Sequence, residues 1–209
     1  MKIEEAYTDW STTYDSDRNL TRDLDEIVAR QELANLQFKS ILEIGCGTGK
    51  NTTLLADLGE QVLALDFSAG MIEKAKAKVA RANVTFKIAD ITQRWPCDND
   101  SFDLISCNLV LEHIEDLSHI FSEVARVLIN GGRFFVCELH PFRQYQGTQA
   151  RFQRADDTTQ IAAFVHHISD FTNAAIANGL SLEVLREWWH TEDEAKPPRL
   201  VSFLFNKEV

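Results

Sequence analysis

The sequence has no apolar run near the roughly 20 residues that a bilayer-crossing helix needs. Its first residues, Met1-Lys2-Ile3-Glu4-Glu5, carry acid where a secretory leader would carry an apolar stretch. No membrane span is expected on that reading, no membrane partner either, and the cytoplasm is the expected compartment. Cysteine is scarce: the residues at 46, 97, 107 and 137 form no Cys-x-x-Cys pair and have no histidine at zinc-finger spacing. That argues against a disulfide framework and a bound metal, and leaves reduced thiols as the expectation. Positive charge is short as well, with 21 Lys and Arg against 32 Asp and Glu for a net charge of −11. Such a surface repels polyanions, so DNA and RNA are not expected partners. No repeat or low-complexity linker divides the 209 residues. One domain, 1–209, is expected, with a helical segment over 1–38 and an insertion at about 139–168.

What is present is an alternation of short apolar runs with longer helical stretches, the pattern of a parallel sheet covered on both faces. Strands are expected at 41–44, 61–65, 84–88, 103–107, 133–138, 182–188 and 199–205. Leu20, Leu24, Ile27 and Val28 mark one side of a helix over 19–36. Ser68 caps a helix reaching about residue 82. Leu117, Ile120, Phe121, Val124 and Leu128 recur at helical spacing over 117–129, and Gly131-Gly132 stops that helix. Ser169 or Asp170 caps another, ending at Gly179.

The most informative run is Leu42-Glu43-Ile44-Gly45-Cys46-Gly47-Thr48-Gly49-Lys50, where an apolar strand enters a glycine-rich turn before a helix. Glycine lets the backbone turn sharply and approach a ligand with no Cβ in the way. The dinucleotide fingerprint is Gly-x-Gly-x-x-Gly. Here Lys50 stands where its third glycine belongs, and Glu43 precedes the first glycine by two. Three further features follow in order. Leu63-Ala64-Leu65-Asp66-Phe67 ends the second strand on an acid, and Ala89-Asp90-Ile91 ends the third on another. Phe102-Asp103-Leu104-Ile105-Ser106-Cys107-Asn108 then runs into Leu109-Val110-Leu111-Glu112-His113-Ile114, and Gly131-Gly132-Arg133-Phe134 opens the fifth strand.

Over roughly residues 35–140 this series resembles the class I S-adenosylmethionine-dependent methyltransferases of small-molecule type. The resemblance implies an α/β, Rossmann-like, doubly wound sheet of seven strands, mostly parallel with an antiparallel last strand. It implies S-adenosyl-L-methionine as cofactor, S-adenosyl-L-homocysteine as product and a small-molecule acceptor, possible forms being anionic or carrier-linked. Carried over residue by residue, the cofactor-binding set is Glu43, Gly45, Cys46, Gly47, Gly49, Asp66, Phe67, Met71, Asp90, Ile91 and Asn108. In such a set Asp66 serves the ribose hydroxyls and Asp90 the adenine amino group. An aromatic from the N-terminal segment covers the cofactor in the family, and Tyr7 and Tyr14 are both placed for it. The Asn/Asp-Pro-Pro-aromatic motif of nucleic-acid base methylation is missing after the fourth strand, in keeping with the acidic charge. Other readings of such a fold are a non-catalytic binding protein, another transferase such as an aminopropyl transferase, and an NAD-dependent oxidoreductase. Lys50 and Asp90 count against the last.

Methyl transfer needs alignment above all and sometimes a base. His113, after the fourth strand, and His140, after the fifth, are the candidate catalytic residues, since ligands bind along the carboxyl edge of such sheets. The adjacent His166 and His167 are expected to point apart. Arg143, Arg151 and Arg154, interleaved with Phe142, Tyr145 and Phe152, read either as an anion-binding fork or as a solvated lid helix. Trp188 and Trp189 read as packing.

Overall fold

The computed structural model describes residues 3–154, 157–193 and 195–208, the segment 151–160 through its backbone alone. The chain runs α1 (Ile3–Trp10), α2 (Leu20–Leu33), β1 (Phe38–Ile44), α3 (Thr52–Leu58), β2 (Gly59–Asp66), α4 (Ala69–Lys78), β3 (Val84–Ile88) and β4 (Phe102–Asn108). A 3-10 turn at Leu111–His113 leads to α5 (Leu117–Val127), β5 (Leu128–Leu139), α6 (Pro141–Tyr145), β6 (Arg151–Arg154) and β7 (Asp157–Gln160). The chain closes with α7 (Ile168–Ala177), β8 (Leu180–Trp188) and β9 (Leu200–Lys207).

Seven strands form one sheet in the order β3-β2-β1-β4-β5-β9-β8. β1 to β5 pair in parallel, and β9, the last strand, runs antiparallel to both β5 and β8. β5 shows why both faces are covered. Phe134 and Val136 join the aromatic core with Phe121, Phe171 and Phe205, while Phe135 and Cys137 join Leu24, Val28 and Leu55 on the other face. Alternate residues of a strand point to opposite faces, and burying each large apolar side chain contributes about 1.5–3 kcal/mol. The strand order reverses between β1 and β4, which opens a crevice at the carboxyl ends of those strands. Among the described residues, no helix is long and apolar enough to cross a membrane. The four cysteines are free thiols, three of them buried.

Several boundaries differ from the sequence reading. α4 keeps its Ser68 cap, whose Oγ accepts from Met71 N, but ends at Lys78. α5 ends at Val127, and Gly131-Gly132 lie inside β5 where its register shifts against β4, between Leu128 and Arg133. The pairing of Leu128 with Phe102 captures the chain into the sheet before the glycines are reached. His167 takes the N-cap position of α7, because Asp170 Oδ2 reaches back to its N–H at 2.8 Å. On α2, Ile27 is 47% exposed and the polar Arg22 and Asp25 are buried instead. Residues 139–168 form the short α6 and a β6–β7 hairpin rather than a lid helix.

Candidate functional site

The glycine-rich turn leaves β1 and is tied to its neighbour strand. Gly45 N and Cys46 N both donate to Leu65 O, at 2.8 and 2.9 Å. Gly45, with φ +73°, bends the chain so closely under Val110 that a Cβ would sit 2.1 Å from Val110 Cγ2. At the end of β2, Asp66 accepts from Gly47 N at 2.8 Å through one oxygen and from Ser68 N at 2.9 Å through the other. Burial pushes its carboxyl up to about 6, against the lowering effect of those N–H groups.

These residues form one wall of a cavity of about 290 Å³ at the crevice. Gly45, Gly47, Asp66, Phe67, Met71 and Asn108 line it, and Asp90 and Ile91 close the end beyond β3. Asp90 Oδ1 accepts from the backbone and the hydroxyl of Thr92, at 2.9 and 2.7 Å, which fixes the turn. Tyr7 and Tyr14, the two aromatics that spacing left as alternatives, both line the cavity. Tyr7 comes from α1, which lies across the opening and is anchored to α4 by Thr8 Oγ1 and Ser68 Oγ at 2.9 Å.

A smaller recess continues from the cavity, lined by Tyr14, Arg22, Asp25, Glu43, Asn51 and Asn108 among others. Four of these are buried acids or their hydrogen-bond partners. Asp25 accepts from Asn51 Nδ2 and Asn108 Nδ2, each at 2.7 Å. Glu43 accepts from Thr52 Oγ1, and burial pushes its carboxyl up to about 8. Asn51 Oδ1 is buried with no hydrogen-bond donor among the described residues. The Arg22 guanidinium donates to Tyr14 O and to Asp17 O, lies 4.0 Å from the Tyr14 ring centroid, and forms no carboxylate ion pair among the described residues.

His113 also lines the cavity. Its Nδ1 donates to Ala162 O at 2.9 Å, which leaves Nε2 to accept from the Tyr7 hydroxyl at 2.7 Å. Burial lowers the imidazole's affinity for a proton, so the neutral ring with a lone pair on Nε2 is favoured. His140 does not join it. It is 1% exposed, lies off the cavity, accepts from Phe142 N as the N-cap of α6 and contacts Glu187 at 2.9 Å. What separates it from His113 is place: it caps α6 away from the cavity, not beside it as the catalytic expectation had it.

Two further expectations need correction. Gly49 faces α4, where a Cβ would come within 2.9 Å of Val79 Cγ2; it packs the loop on that helix and does not line the cavity. Glu43 and Cys46 reach only the recess, beneath the loop. His166 Nε2 donates to Ile114 O at 2.7 Å while His167 contacts Tyr145, so the pair does diverge. Arg143 pairs with buried Asp193 at 2.9 Å, away from the cavity. The side chains of Arg151, Phe152 and Arg154 lie outside the described residues. Trp188 Nε1 donates to Ser202 Oγ at 2.8 Å and its ring packs on the core, whereas Trp189 is 51% exposed. Sequence reasoning missed Arg22, Asp25 and Asn51. The signal was available: Arg22 and Asp25 interrupt the apolar face of α2 beside Leu24 and Val28.

Residues 42–136 match the family described as "Methyltransferase domain". The demethylmenaquinone methyltransferase of Clavibacter sepedonicus is 31% identical over 142 residues, 66% of this chain and 58% of that protein. The malonyl-[acyl-carrier protein] O-methyltransferase of Methylovorus sp. strain MP688 is 27% identical over 194 residues, 88% of this chain and 64% of that protein. The chain thus spans less than two thirds of either relative. The solved structure of DhpI in complex with S-adenosylhomocysteine has the same fold, with TM-score 0.76 and 21% identity over 98% of this chain and 95% of that one.

Proposed function

Because this chain belongs to the class I S-adenosylmethionine-dependent methyltransferases, we propose that its crevice binds S-adenosylmethionine and that it methylates a small-molecule acceptor. One observation carries the reading. Asp25, Glu43 and Asp66 are buried around one continuous cavity and recess, and none of them forms an ion pair with a Lys or Arg among the described residues. Buried carboxylates without cations are costly, and a ligand carrying positive charge relieves that cost.

The residues suit this cofactor part by part. Asp66 is assigned to the ribose hydroxyls, Asp90 and Ile91 to the adenine. Asn51 Oδ1, which lacks a donor among the described residues, and Asp25 are assigned to the ammonium group, and Arg22, whose guanidinium forms no carboxylate ion pair among those residues, to the carboxylate. Gly45 and Gly47 let the backbone approach, and Glu43 supports the loop from below. The cofactor supplies an electrophilic methyl group when bound. The chain's own part is alignment and exclusion of water by α1, with Tyr7 over the crevice. His113, neutral with its Nε2 lone pair turned toward the Tyr7 hydroxyl, is the group suited to accept a proton at that wall. The relatives named above act on a demethylmenaquinone and a malonyl-[acyl-carrier protein], and the acceptor proposed for this chain is of that broad kind, a small molecule, free or carrier-linked.

Calorimetry with S-adenosylhomocysteine tests this directly. Wild-type protein is expected to bind it and not NAD. Asp66→Ala is expected to weaken binding by about 1–3 kcal/mol while retaining a cooperative melt, the cost of unpaired hydroxyls. Equal affinity in the variant removes Asp66 from the site; binding of NAD instead removes the whole reading.

A further inference from the structure

A second cavity, of about 320 Å³, adjoins the first and shares Tyr7, Tyr14 and Leu109 with it. Its walls carry a pattern the first lacks. Among the described residues, three arginines, Arg18, Arg22 and Arg199, and a single acid, Glu112, line it. The carboxylates that pair with Arg18 and Arg199, those of Glu192 and Asp193, stand off the lining. The lining therefore presents three guanidinium groups, two of them held from behind by these ion pairs and Arg22 with no carboxylate ion pair among the described residues.

Glu112 is the second observation. It is 7% exposed, and its Oε2 is buried with no hydrogen-bond partner among the described residues. Its Oε1 is 3.9 Å from His113 Nε2, so the side chain stands on the partition between the two cavities. The turn around it is held by backbone: Phe164 N donates to Glu112 O at 2.7 Å. A buried carboxylate oxygen without a donor costs free energy, and Glu112, whose side chain belongs to the wall of this cavity, is the residue there from which a ligand hydroxyl or N–H recovers it.

We propose that this second cavity holds the methyl acceptor, a small anion bearing a hydroxyl or N–H donor, with its anionic group toward Arg18 and Arg199 and its donor on Glu112. The assignment rests on the first cavity being the cofactor's. Glu112 is here a specificity-determining residue: it orients the donor group beside Tyr7, where the two cavities meet. Arginine forks suit carboxylates and phosphates alike, and both lie within the proposed class.

The test titrates protein saturated with S-adenosylhomocysteine by calorimetry, using 3,4-dihydroxybenzoate, catechol and benzoate as probes. Dihydroxybenzoate is expected to bind at least about tenfold tighter than catechol, a preference that shrinks with added salt. Glu112→Ala is expected to weaken dihydroxybenzoate about tenfold or more and to leave benzoate and S-adenosylhomocysteine unchanged. Glu112 Oε2 has no hydrogen-bond partner among the described residues, and Glu112→Gln, which keeps the shape, serves as the second variant and should fall between. Equal binding of acid and catechol, no effect of either Glu112 variant, or no binding of any probe overturns the proposal while the cofactor reading stands. Failure to bind S-adenosylhomocysteine at the outset overturns both, and is read separately before any probe is added.

Discussion

Gly45 and Gly49 lie four residues apart in one loop, both with positive φ, and do different work. Gly45 lines the cavity under Val110; Gly49 packs on α4. A Cβ at either position is strained by the left-handed backbone, by roughly 1–2 kcal/mol. Gly45→Ala is expected to lower the melting temperature and to weaken S-adenosylhomocysteine binding, with part of both losses recovered by adding Val110→Ala. Gly49→Ala is expected to lower the melting temperature alone. Melts and calorimetry on the three variants check this, and a binding defect in Gly49→Ala would show that the third glycine serves the ligand after all. His140 teaches a related lesson. Its place after β5 puts it on the carboxyl edge of the sheet, yet the N-cap of α6 and Glu187 use up both its nitrogens.

At the scale of elements, α1 and the stretch after the β6–β7 hairpin act together. Ala6 and Trp10 of α1 cluster with Ile161, apart from the two cores that flank the sheet. The stretch that follows holds the His113 turn: Ala162 O accepts from His113 Nδ1, and His166 Nε2 donates to Ile114 O. Two segments distant in sequence therefore close over one site. A lid built on a satellite cluster should open locally at lower cost than the core. Deleting residues 1–12 is expected to reduce S-adenosylhomocysteine affinity about tenfold or more while the melting temperature falls by only about 2–8 °C, the effect of roughly 1–2 kcal/mol. Loss of a cooperative melt in that deletion would show α1 to be part of the core.

For the whole molecule, the buried acids set the response to pH. Glu43 and Glu138 are pushed up to about 8 by burial, Glu112 to about 7 and Asp66 to about 6. Each holds its proton more tightly folded than unfolded. The folded state therefore binds more protons, and stability falls as pH rises toward the folded pKa. The lowered pKa values of His113 and His140 act in the opposite sense, with their change largely complete by about pH 6.5, where the unfolded imidazole titrates. Asp193, held at about 2 by Arg199 and Arg143, contributes stability that is lost only in acid. The ligand-free protein is thus expected to melt several degrees lower at pH 8.5 than at pH 6.5, and S-adenosylmethionine to narrow the gap by supplying positive charge beside those carboxylates. A flat or rising profile in calorimetric melts would contradict the burial assigned to these acids.

Much of this molecule was determined by sequence alone, because it is written in local patterns. Strand–turn periodicity located β1 to β5, and the spacing Glu43-x-Gly45-x-Gly47-x-Gly49 with Asp66 and Asp90 marked the loop and both acids that line the crevice. Backbone conformation at a glycine and the position of an acid at a strand end depend on near neighbours, so short-range reading reaches them. Tertiary structure decided the rest. Arg22, Asp25 and Asn51 meet only because α2 packs beside the loop, and Tyr7 meets His113 across 106 positions of chain. The division between His113, which lines the cavity, and His140, which lies off it, follows from long-range partners at Ala162 and Glu187. Which polar groups are buried, and which are left without a partner, is a property of packed surfaces, and no window of sequence contains it.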